Sequence, residues 1–143
     1  MDLSEQFFLI FRGIDEQAMN IIQDMVKNYA SGISLNSLAE KYHFSVGYLS
    51  RMIKKETGYS FSVILNTIRL TVAVNMLQAE SKKINLICEY AGFSDPKYFS
   101  QVFKRAFKCS PGEFRKQMKE KRKYSIKAVL EMLESADQKS NEL

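Results

Sequence analysis

The amino-acid sequence predicts an all-α protein made of two helix-turn-helix subdomains joined by a long linker helix, as in a pair of homeodomain-like units. Glycine and proline are scarce, at 6 and 2 of 143 residues. No stretch keeps the period-two alternation of a half-buried strand, whereas apolar residues recur at steps of three and four, the spacing of one helix face. A short helical pattern, a turn and a longer helical pattern occur twice, which is the helix-turn-helix plan.

Capping signals set the limits of the helices in the first half of the chain. An amphipathic helix is expected between the capping residue Asp15 and the helix stop Gly32. Ser34 caps a short helix, Gly58 stops the next one, and Ser60 caps a longer helix that runs to about residue 78. The two expected helices of the first helix-turn-helix are residues 35–42 and 46–57.

The same plan returns in the second half. Residues 84–90 predict a short helix, followed by a turn. Asp95 and Pro96 then form a cap and a first helical position, where the missing proline N–H costs nothing. Residues 110–113 have the spacing of a capping box. Residues 126–133 carry one more amphipathic stripe, which we expect to cover the core rather than to contact a partner.

The two helix-turn-helix patterns are copies of one another. Matching residues lie 49 positions apart before the turn and 50 after it, so one residue is inserted near the second cap. In this motif the second helix lies in the DNA major groove and the first braces it across the backbone. A generic helical hairpin gives the same pattern once, so the doubling favours DNA binding. The matched pairs include Leu35 and Ile84, Leu38 and Ile87, Ala39 and Cys88, Phe44 and Phe93, Tyr48 and Tyr98, and Leu49 and Phe99.

Charge is concentrated in one part of the chain. The formal net charge is +5, but residues 81–123 hold 12 basic and 4 acidic side chains, a net charge of +8, between acidic ends. A basic middle fits a polyanion-binding surface. The alternative is a solvated lysine-rich helix around residues 115–123.

Residue usage excludes several classes of protein. Cys88 and Cys109 cannot form a disulfide framework or a four-thiolate zinc site, and His43 is the single histidine. Without a nucleophile–base pair or a glycine-rich phosphate loop, we expect a non-enzymatic chain with no metal and no cofactor. The longest apolar run, residues 7–11, is far shorter than the ~20 residues of a membrane span, so we expect an intracellular protein that does not enter a membrane.

Four segments carry a more specific pattern: residues 35–42, 48–58, 91–104 and 110–115, which read LNSLAEKY, YLSRMIKKETG, AGFSDPKYFSQVFK and SPGEFR. They resemble the DNA-binding domain of the AraC/XylS family of bacterial transcription regulators, over about 100 residues. The resemblance implies the domain limits 14–59 and 81–123 for the two helix-turn-helix subdomains and 60–80 for the linker helix. It leaves residues 124–143 as a C-terminal amphipathic helix and tail, and 1–13 as an N-terminal segment that either packs on the domain or is the edge of a missing sensor domain.

Three residues depart from the family pattern. Lys108 stands where the first copy has Gly58, and a left-handed backbone at that point would cost lysine about 1 kcal/mol. Cys88 replaces an alanine and is expected to be an inert core residue, whereas Cys109 is expected to be exposed. Pro96 stiffens the start of the second recognition helix and has no amide to offer a phosphate.

Candidate DNA contacts lie on the two recognition helices. Arg51 is the strongest, because its guanidinium can bind guanine O6 and N7 with two hydrogen bonds, and Gln101 can pair with adenine in the same way. Gly47 offers no side chain, so Val46 or Tyr48 takes over its contact. The candidate base contacts are Val46, Gly47, Ser50, Arg51, Lys97, Tyr98, Ser100 and Gln101. The candidate phosphate contacts, which position the protein without reading sequence, are Lys54, Lys55, Lys82, Lys83, Lys104 and Arg105.

Aromatic residues on these segments could either contact nucleic acid or pack in the core. The rings of Tyr48 and Tyr98 either contact DNA or pack in the core, and the apolar character of the rings favours the core. A set of phenylalanines could form a stacking platform for single strands, but its helical spacing favours core packing. That set is Phe44, Phe93, Phe99, Phe103 and Phe107.

Two functional hypotheses follow. In the first, the recognition helices enter adjacent major-groove segments of one duplex, because a linker of about 19 residues spans roughly 28 Å and one duplex turn is ~34 Å. The resemblance then implies a transcription factor of the bacterial cytoplasm and nucleoid, an activator that binds double-stranded DNA as a monomer or weak dimer and has RNA polymerase as a further partner. In the second, the acidic, amphipathic ends make the chain a helical protein–protein interaction module with weak or vestigial DNA binding.

Overall fold

The computed structural model describes residues 1–79 and 81–141. Residue 80, at the end of the expected linker, and residues 142 and 143 of the expected tail lie outside the described residues. Within the described part the secondary structure is α-helical, which confirms the all-α prediction. The helices are α1 (Leu3–Ile10), α2 (Glu16–Asn28), α3 (Leu35–Tyr42), α4 (Val46–Thr57), α5 (Phe61–Ala79), α6 (Ile84–Tyr90), α7 (Pro96–Phe107), α8 (Pro111–Gln117) and α9 (Ile126–Asn141).

Helices α2, α3 and α7 start at the expected caps. Asp15, Ser34 and Asp95 each accept a hydrogen bond from a backbone N–H of the first turn that follows. Two details differ from the sequence-based prediction. Helix α2 ends at Asn28, before Gly32, which lies in the following turn with φ +75°. The side chain of Glu113 accepts from the Ser110 hydroxyl at 2.9 Å, so it closes on the cap side chain instead of the cap backbone.

The first hydrophobic core gathers α1 to α4 on the first half of α5. Phe7 of α1 is fully buried in it, so the apolar N-terminal segment packs on the domain as a helix. Leu49 and Ile53 of α4 enter the same core, and α5 contributes Ile64 and Ile68.

The second core gathers α6 and α7 on the other half of α5. Helix α5 contributes residues such as Leu70 and Val74, and α7 contributes Phe99 and Phe103. By length and composition α5 could cross a membrane, but 56% of its apolar window is buried inside the protein. Its apolar character is therefore explained by the two cores that it serves.

Helix α9 packs into both cores. Ile126 and Leu130 belong to the first, and Val129 and Leu133 belong to the second. Helix α1 supports the start of α9, because the side-chain oxygen of Gln6 accepts from the Ile126 N–H at 2.8 Å. The prediction that this C-terminal stripe covers the core is confirmed.

Among the described residues, two that are not glycine end helices in the left-handed conformation. His43 ends α3 with φ +59°, and Lys108 ends α7 with φ +67°. At the position in the first copy that matches Lys108, Gly58 has φ +83°. The expected left-handed backbone at residue 108 is thus present, and lysine occupies a conformation that favours glycine.

A polar cluster joins α2 to α3. The Tyr42 hydroxyl donates to the Asp24 carboxylate, and the Lys41 ammonium lies 2.9 Å from Asp24 Oδ2. Partial burial raises the pKa of Asp24, but the hydrogen bonds from Tyr42 and Lys41 and the positive charges of Lys41 and Lys27 together outweigh it, so the net pKa is lowered. Burial and the bond to Asp24 raise the pKa of Tyr42 to about 12.

Replacing Lys108 with glycine is expected to stabilise the protein by about 1 kcal/mol, because it removes the steric cost of the left-handed lysine. Gly58→Lys is the reciprocal control at the matching position and should destabilise by a similar amount. Urea unfolding of both variants measures the change. Equal stability of Lys108→Gly and the parent would contradict the expected strain.

The Asp24 cluster predicts how stability varies with pH. Ionised Asp24 stabilises the fold above its ordinary pKa of 3.8, and this contribution is lost as the pH falls through the lower pKa of the folded chain. Neutral Tyr42 stabilises the fold below pH 10.0, its ordinary pKa. That contribution is lost as the pH rises towards the folded-state pKa of about 12. Asp24→Asn should flatten the acid limb in urea unfolding measured across the acid range, whereas the exposed Glu89→Gln should leave it unchanged. An unaltered acid limb in Asp24→Asn would contradict this account.

Candidate nucleic-acid interface

The first recognition helix, α4, has one buried and one exposed face. Leu49 and Ile53 point into the core with at most 1% of their surface exposed. Ser45 caps the helix by accepting from the Tyr48 N–H at 3.1 Å. The predicted base contacts all lie on the outer, exposed side: Val46, Gly47, Ser50 and Arg51.

Gly47 gives space to Arg51. A Cβ atom added at residue 47 would lie 3.2 Å from Arg51 Nη1, so the guanidinium lies over the glycine backbone. A larger residue at this position would have to move the end of the arginine side chain. The absence of a side chain at residue 47 therefore leaves room for the long side chain one turn further on.

The second recognition helix, α7, repeats this arrangement. Its inner face holds Phe99, Val102 and Phe103, all buried. Asp95 accepts from the Lys97 N–H at 3.0 Å, and Pro96 occupies the first helical position. The predicted base contacts lie on the exposed side here too: Lys97, Tyr98, Ser100 and Gln101. Neither recognition helix is turned inward.

The prediction that the rings of Tyr48 and Tyr98 pack in the core is wrong. Their exposed fractions are 47% and 44%. Each ring leans on the phenylalanine of its own turn, with 4.9 Å between the centroids of Tyr48 and Phe44 and 6.3 Å between those of Tyr98 and Phe93. The following residue of each helix takes the inward position, which leaves the tyrosine at the rim.

The predicted phosphate contacts differ in their surroundings. Lys54 Nζ donates to the Gly58 carbonyl at 3.0 Å, and Arg105 pairs with Asp137 of α9. Lys82 Nζ lies 4.7 Å from the centroid of the Tyr90 ring. Lys83 is the N-terminal cap residue of α6 and makes no side-chain capping bond. The remaining two, Lys55 and Lys104, are exposed on the recognition helices, and contact of all six with phosphate stays a prediction.

The five phenylalanines pack in the cores, as the spacing predicted. Phe93, Phe99 and Phe103 are buried, while Phe44 and Phe107 are partly buried and pack against the two cores. Phe114 and Tyr124 extend the second cluster through edge contacts with Phe107, at centroid distances of 5.3 and 5.2 Å.

Neither cysteine has the surroundings of a reactive thiol. Cys88 is 2% exposed, as expected of a core residue, and its sulfur lies 3.6 Å from the Phe93 carbonyl oxygen. Cys109 is only partly exposed. Burial raises the pKa of both thiols, which favours the unreactive protonated form. Among residues 1–79 and 81–141, no group of three or more His, Cys, Asp and Glu side chains is placed to hold a metal ion.

Two linker residues near α7 were missed by sequence reasoning. Asn66 Nδ2 donates to the Tyr98 hydroxyl at 2.9 Å. Arg69, one turn further along α5, reaches the backbone of α2. The signal for Arg69 was present, because it is the single charged residue in Phe61–Ala79.

Comparison with known proteins identifies the same pattern. A family model described as "Helix-turn-helix domain" matches residues 38–117. The uncharacterized HTH-type transcriptional regulator YijO of Escherichia coli K12 is 32% identical over 97 residues, covering 67% of this chain and 34% of YijO. The transcriptional activator RhaS of Pectobacterium carotovorum is 34% identical over 90 residues, covering 63% of this chain and 32% of RhaS. This chain thus spans about a third of the length of these curated relatives.

A solved structure shares the fold. The C-terminal domain of AraT, a response regulator from Geobacillus stearothermophilus, superposes with a TM-score of 0.71 at 32% identity, covering 79% of this chain and 94% of that domain. The family match spans more than half of the chain and covers both helix-turn-helix motifs except for the first three residues of α3. The chain therefore belongs to the AraC/XylS family of helix-turn-helix transcription regulators.

Proposed function

We propose that this chain binds double-stranded DNA and regulates bacterial transcription, with α4 and α7 reading neighbouring major-groove segments of one duplex. The observation that carries the proposal is the paired geometry of the two recognition helices. Each buries one face in its own core and exposes the matching positions of the other face. Helix α5 is 19 residues long, or roughly 28 Å at 1.5 Å per residue, close to the ~34 Å of a duplex turn.

Base reading is assigned to the exposed sides of the first two turns of α4 and α7. Arg51 lies over Gly47 without a side chain between them, so its guanidinium can extend toward a guanine edge. Gln101 holds the equivalent exposed place on α7 and suits adenine. Asn66 of α5 donates to the Tyr98 hydroxyl, which restrains this half-exposed ring at the rim of α7.

Phosphate contacts supply affinity that does not depend on sequence. The net charge of +8 in residues 81–123 gives the second subdomain the stronger attraction for a polyanion. Lys55 and Lys104 lie on the exposed sides of the recognition helices, where they would flank the groove. The other proposed phosphate contacts are Lys54, Lys82, Lys83 and Arg105.

The protein-interaction alternative has less support. It relied on free amphipathic ends, but α1 buries Phe7 and α9 buries residues in both cores. Gly47 and Pro96, which offer few contacts to DNA, also have structural explanations: Gly47 leaves room for Arg51, and Pro96 occupies the first position of α7. An exposed apolar pair on α1, Phe8 and Leu9, is what remains in its favour.

The family implies further properties, which we include in the proposal. The chain acts in the bacterial cytoplasm at the nucleoid, carries no enzymatic activity, and binds DNA as a monomer or weak dimer. RNA polymerase is the second partner, as suits an activator.

Selection from random duplexes tests the proposal. Repeated rounds with the purified chain should enrich a bipartite site of about 20 bp, contacted on one face of the duplex, because two recognition helices one turn apart need two half-sites. Footprinting of the enriched pool shows which face is protected. Recovery of no enriched sequence, at a salt concentration where the chain still binds DNA, would overturn the sequence-specific function.

Arg51→Ala should weaken binding to the selected site by about 1–3 kcal/mol and relax the preference at one base pair, because it removes a bidentate base contact. Lys104→Ala is the matched control, since it removes the same charge from a predicted phosphate contact. It should weaken all sequences alike and reduce the salt slope by about 1. Titrations of selected and scrambled duplexes at several salt concentrations separate the two effects. Equal losses on both duplexes for Arg51→Ala would contradict its base-reading role.

A further inference from the structure

The two helix-turn-helix subdomains touch directly at Gly92. This residue lies in the turn before α7 and has φ +94°. A Cβ atom added to it would lie 2.3 Å from the carbonyl oxygen of Tyr29 and 3.0 Å from the Cα of Ala30. The turn of the second subdomain therefore rests on the C-terminal end of α2 in the first, at a separation that only glycine allows. We call this contact between Gly92 and Tyr29–Ala30 the seam.

Arg69 of the linker helix contacts both sides of the seam. Its Nε donates to the carbonyl oxygen of Tyr29 at 3.0 Å, and its guanidinium carbon lies 5.9 Å from the centroid of the Phe93 ring. The carbonyls in the last turn of a helix have no helical partner and carry partial negative charge, so a cationic donor suits the end of α2. Arg69 thus holds one group of each subdomain while belonging to the helix that joins them.

The residues on each side of the seam lie close to one of the two recognition helices. Helix α2 packs against α4 in the first core. On the other side, Gly92 and Phe93 lead into α7, and Asn66, on the same side of α5 as Arg69, holds Tyr98 at the start of α7. A shift at the seam would therefore change the position of α7 relative to α4.

We propose that Arg69 is a positioning residue that sets the distance and rotation between α4 and α7, and with them the half-site spacing that the protein accepts. This inference rests on the proposed function, because it concerns how two helices read one duplex. It adds a specificity determinant that contacts no DNA. One inserted base pair rotates a half-site by roughly 34–36° about the duplex axis, so a rigid pair of helices should discriminate strongly against it.

Two variants separate the positioning role from a charge effect. Arg69→Met keeps an unbranched stem beside Phe93 and removes the donor. In Arg69→Gln the amide nitrogen is bonded to Cδ, as Nε is in arginine. It can therefore still donate a hydrogen bond to the Tyr29 carbonyl. Both remove the same positive charge, so a difference between them reports the hydrogen bond to α2. Lys127→Ala, an exposed residue of α9, controls for charge loss elsewhere.

The first experiment measures binding to the selected site with zero, one or two base pairs inserted or removed between its half-sites. The parent, Arg69→Gln and Lys127→Ala should prefer one spacing by about tenfold or more, corresponding to about 1.4 kcal/mol. Arg69→Met should bind each isolated half-site as the parent does but lose most of the spacing preference. An unchanged preference in Arg69→Met would overturn the proposal. Equal losses of affinity at every spacing in Arg69→Met and Arg69→Gln, together with a reduced salt slope, would also overturn it, because Arg69 would then be a phosphate contact.

A second experiment needs no DNA and therefore stands apart from the proposed function. Spin labels at positions 40 and 89, two exposed glutamates on α3 and α6, report the distance between the subdomains in a Cys109→Ser background. Arg69→Met should broaden the distance distribution, and Arg69→Gln should keep it narrow. A narrow distribution in both would overturn the proposal. If Arg69→Met does not fold, Arg69→Lys replaces it. Lysine keeps the charge and the stem but places a carbon at the position of Nε, so it cannot donate from that position to Tyr29. Arg69→Lys should broaden the distance distribution in the same way, and the absence of broadening would contradict the proposal.

The two failures are distinguishable. If the parent selects no bipartite site, the proposed function fails, while the distance measurement still tests the seam. If the parent selects a spaced site and Arg69→Met keeps the preference, only the positioning role fails.

Discussion

Burial of one helix in two separate cores is the constraint on which the rest of the structure depends. Each half of α5 forms a wall of one subdomain, so neither subdomain can close its core without it. A helix fixed along both halves cannot bend freely or rotate one subdomain against the other without exposing apolar surface. The distance between the two recognition helices therefore follows from the packing of the linker as much as from its length.

The additional terminal helices strengthen this constraint. Helix α9 alternates its apolar residues between the two cores, and α1 packs against its start through Gln6. The seam at Gly92 adds a further connection between the two subdomains, beside Arg69 of α5. The two repeated units are thus joined by α9 and by the seam as well as by the linker helix.

Local signals in the sequence were enough to predict helices α2 to α9, several of their caps and most of the core, whereas helix α1 was not predicted. Capping residues such as Asp15 and Asp95 act within one turn, and the repeat aligned Phe44 with Phe93, so these features depend on neighbours in the chain. Contacts between distant segments could not be predicted. The bond from Asn66 to Tyr98, the pairing of Arg105 with Asp137 and the half-exposed tyrosines depend on how separate helices meet. No periodicity encodes that geometry, and the lone charge of Arg69 in an apolar helix is the single local signal that went unused.

The pairing of Arg105 with Asp137 changes what a basic side chain on α7 contributes to a nearby polyanion. Asp137 already supplies an anion to this guanidinium, so an arriving phosphate replaces an existing attraction and gains only the difference between the two. The carboxylate acts as a counterion that is covalently part of the chain. Unlike a dissolved ion, it cannot diffuse away when displaced, so its release adds none of the mixing entropy that drives ordinary counterion exchange.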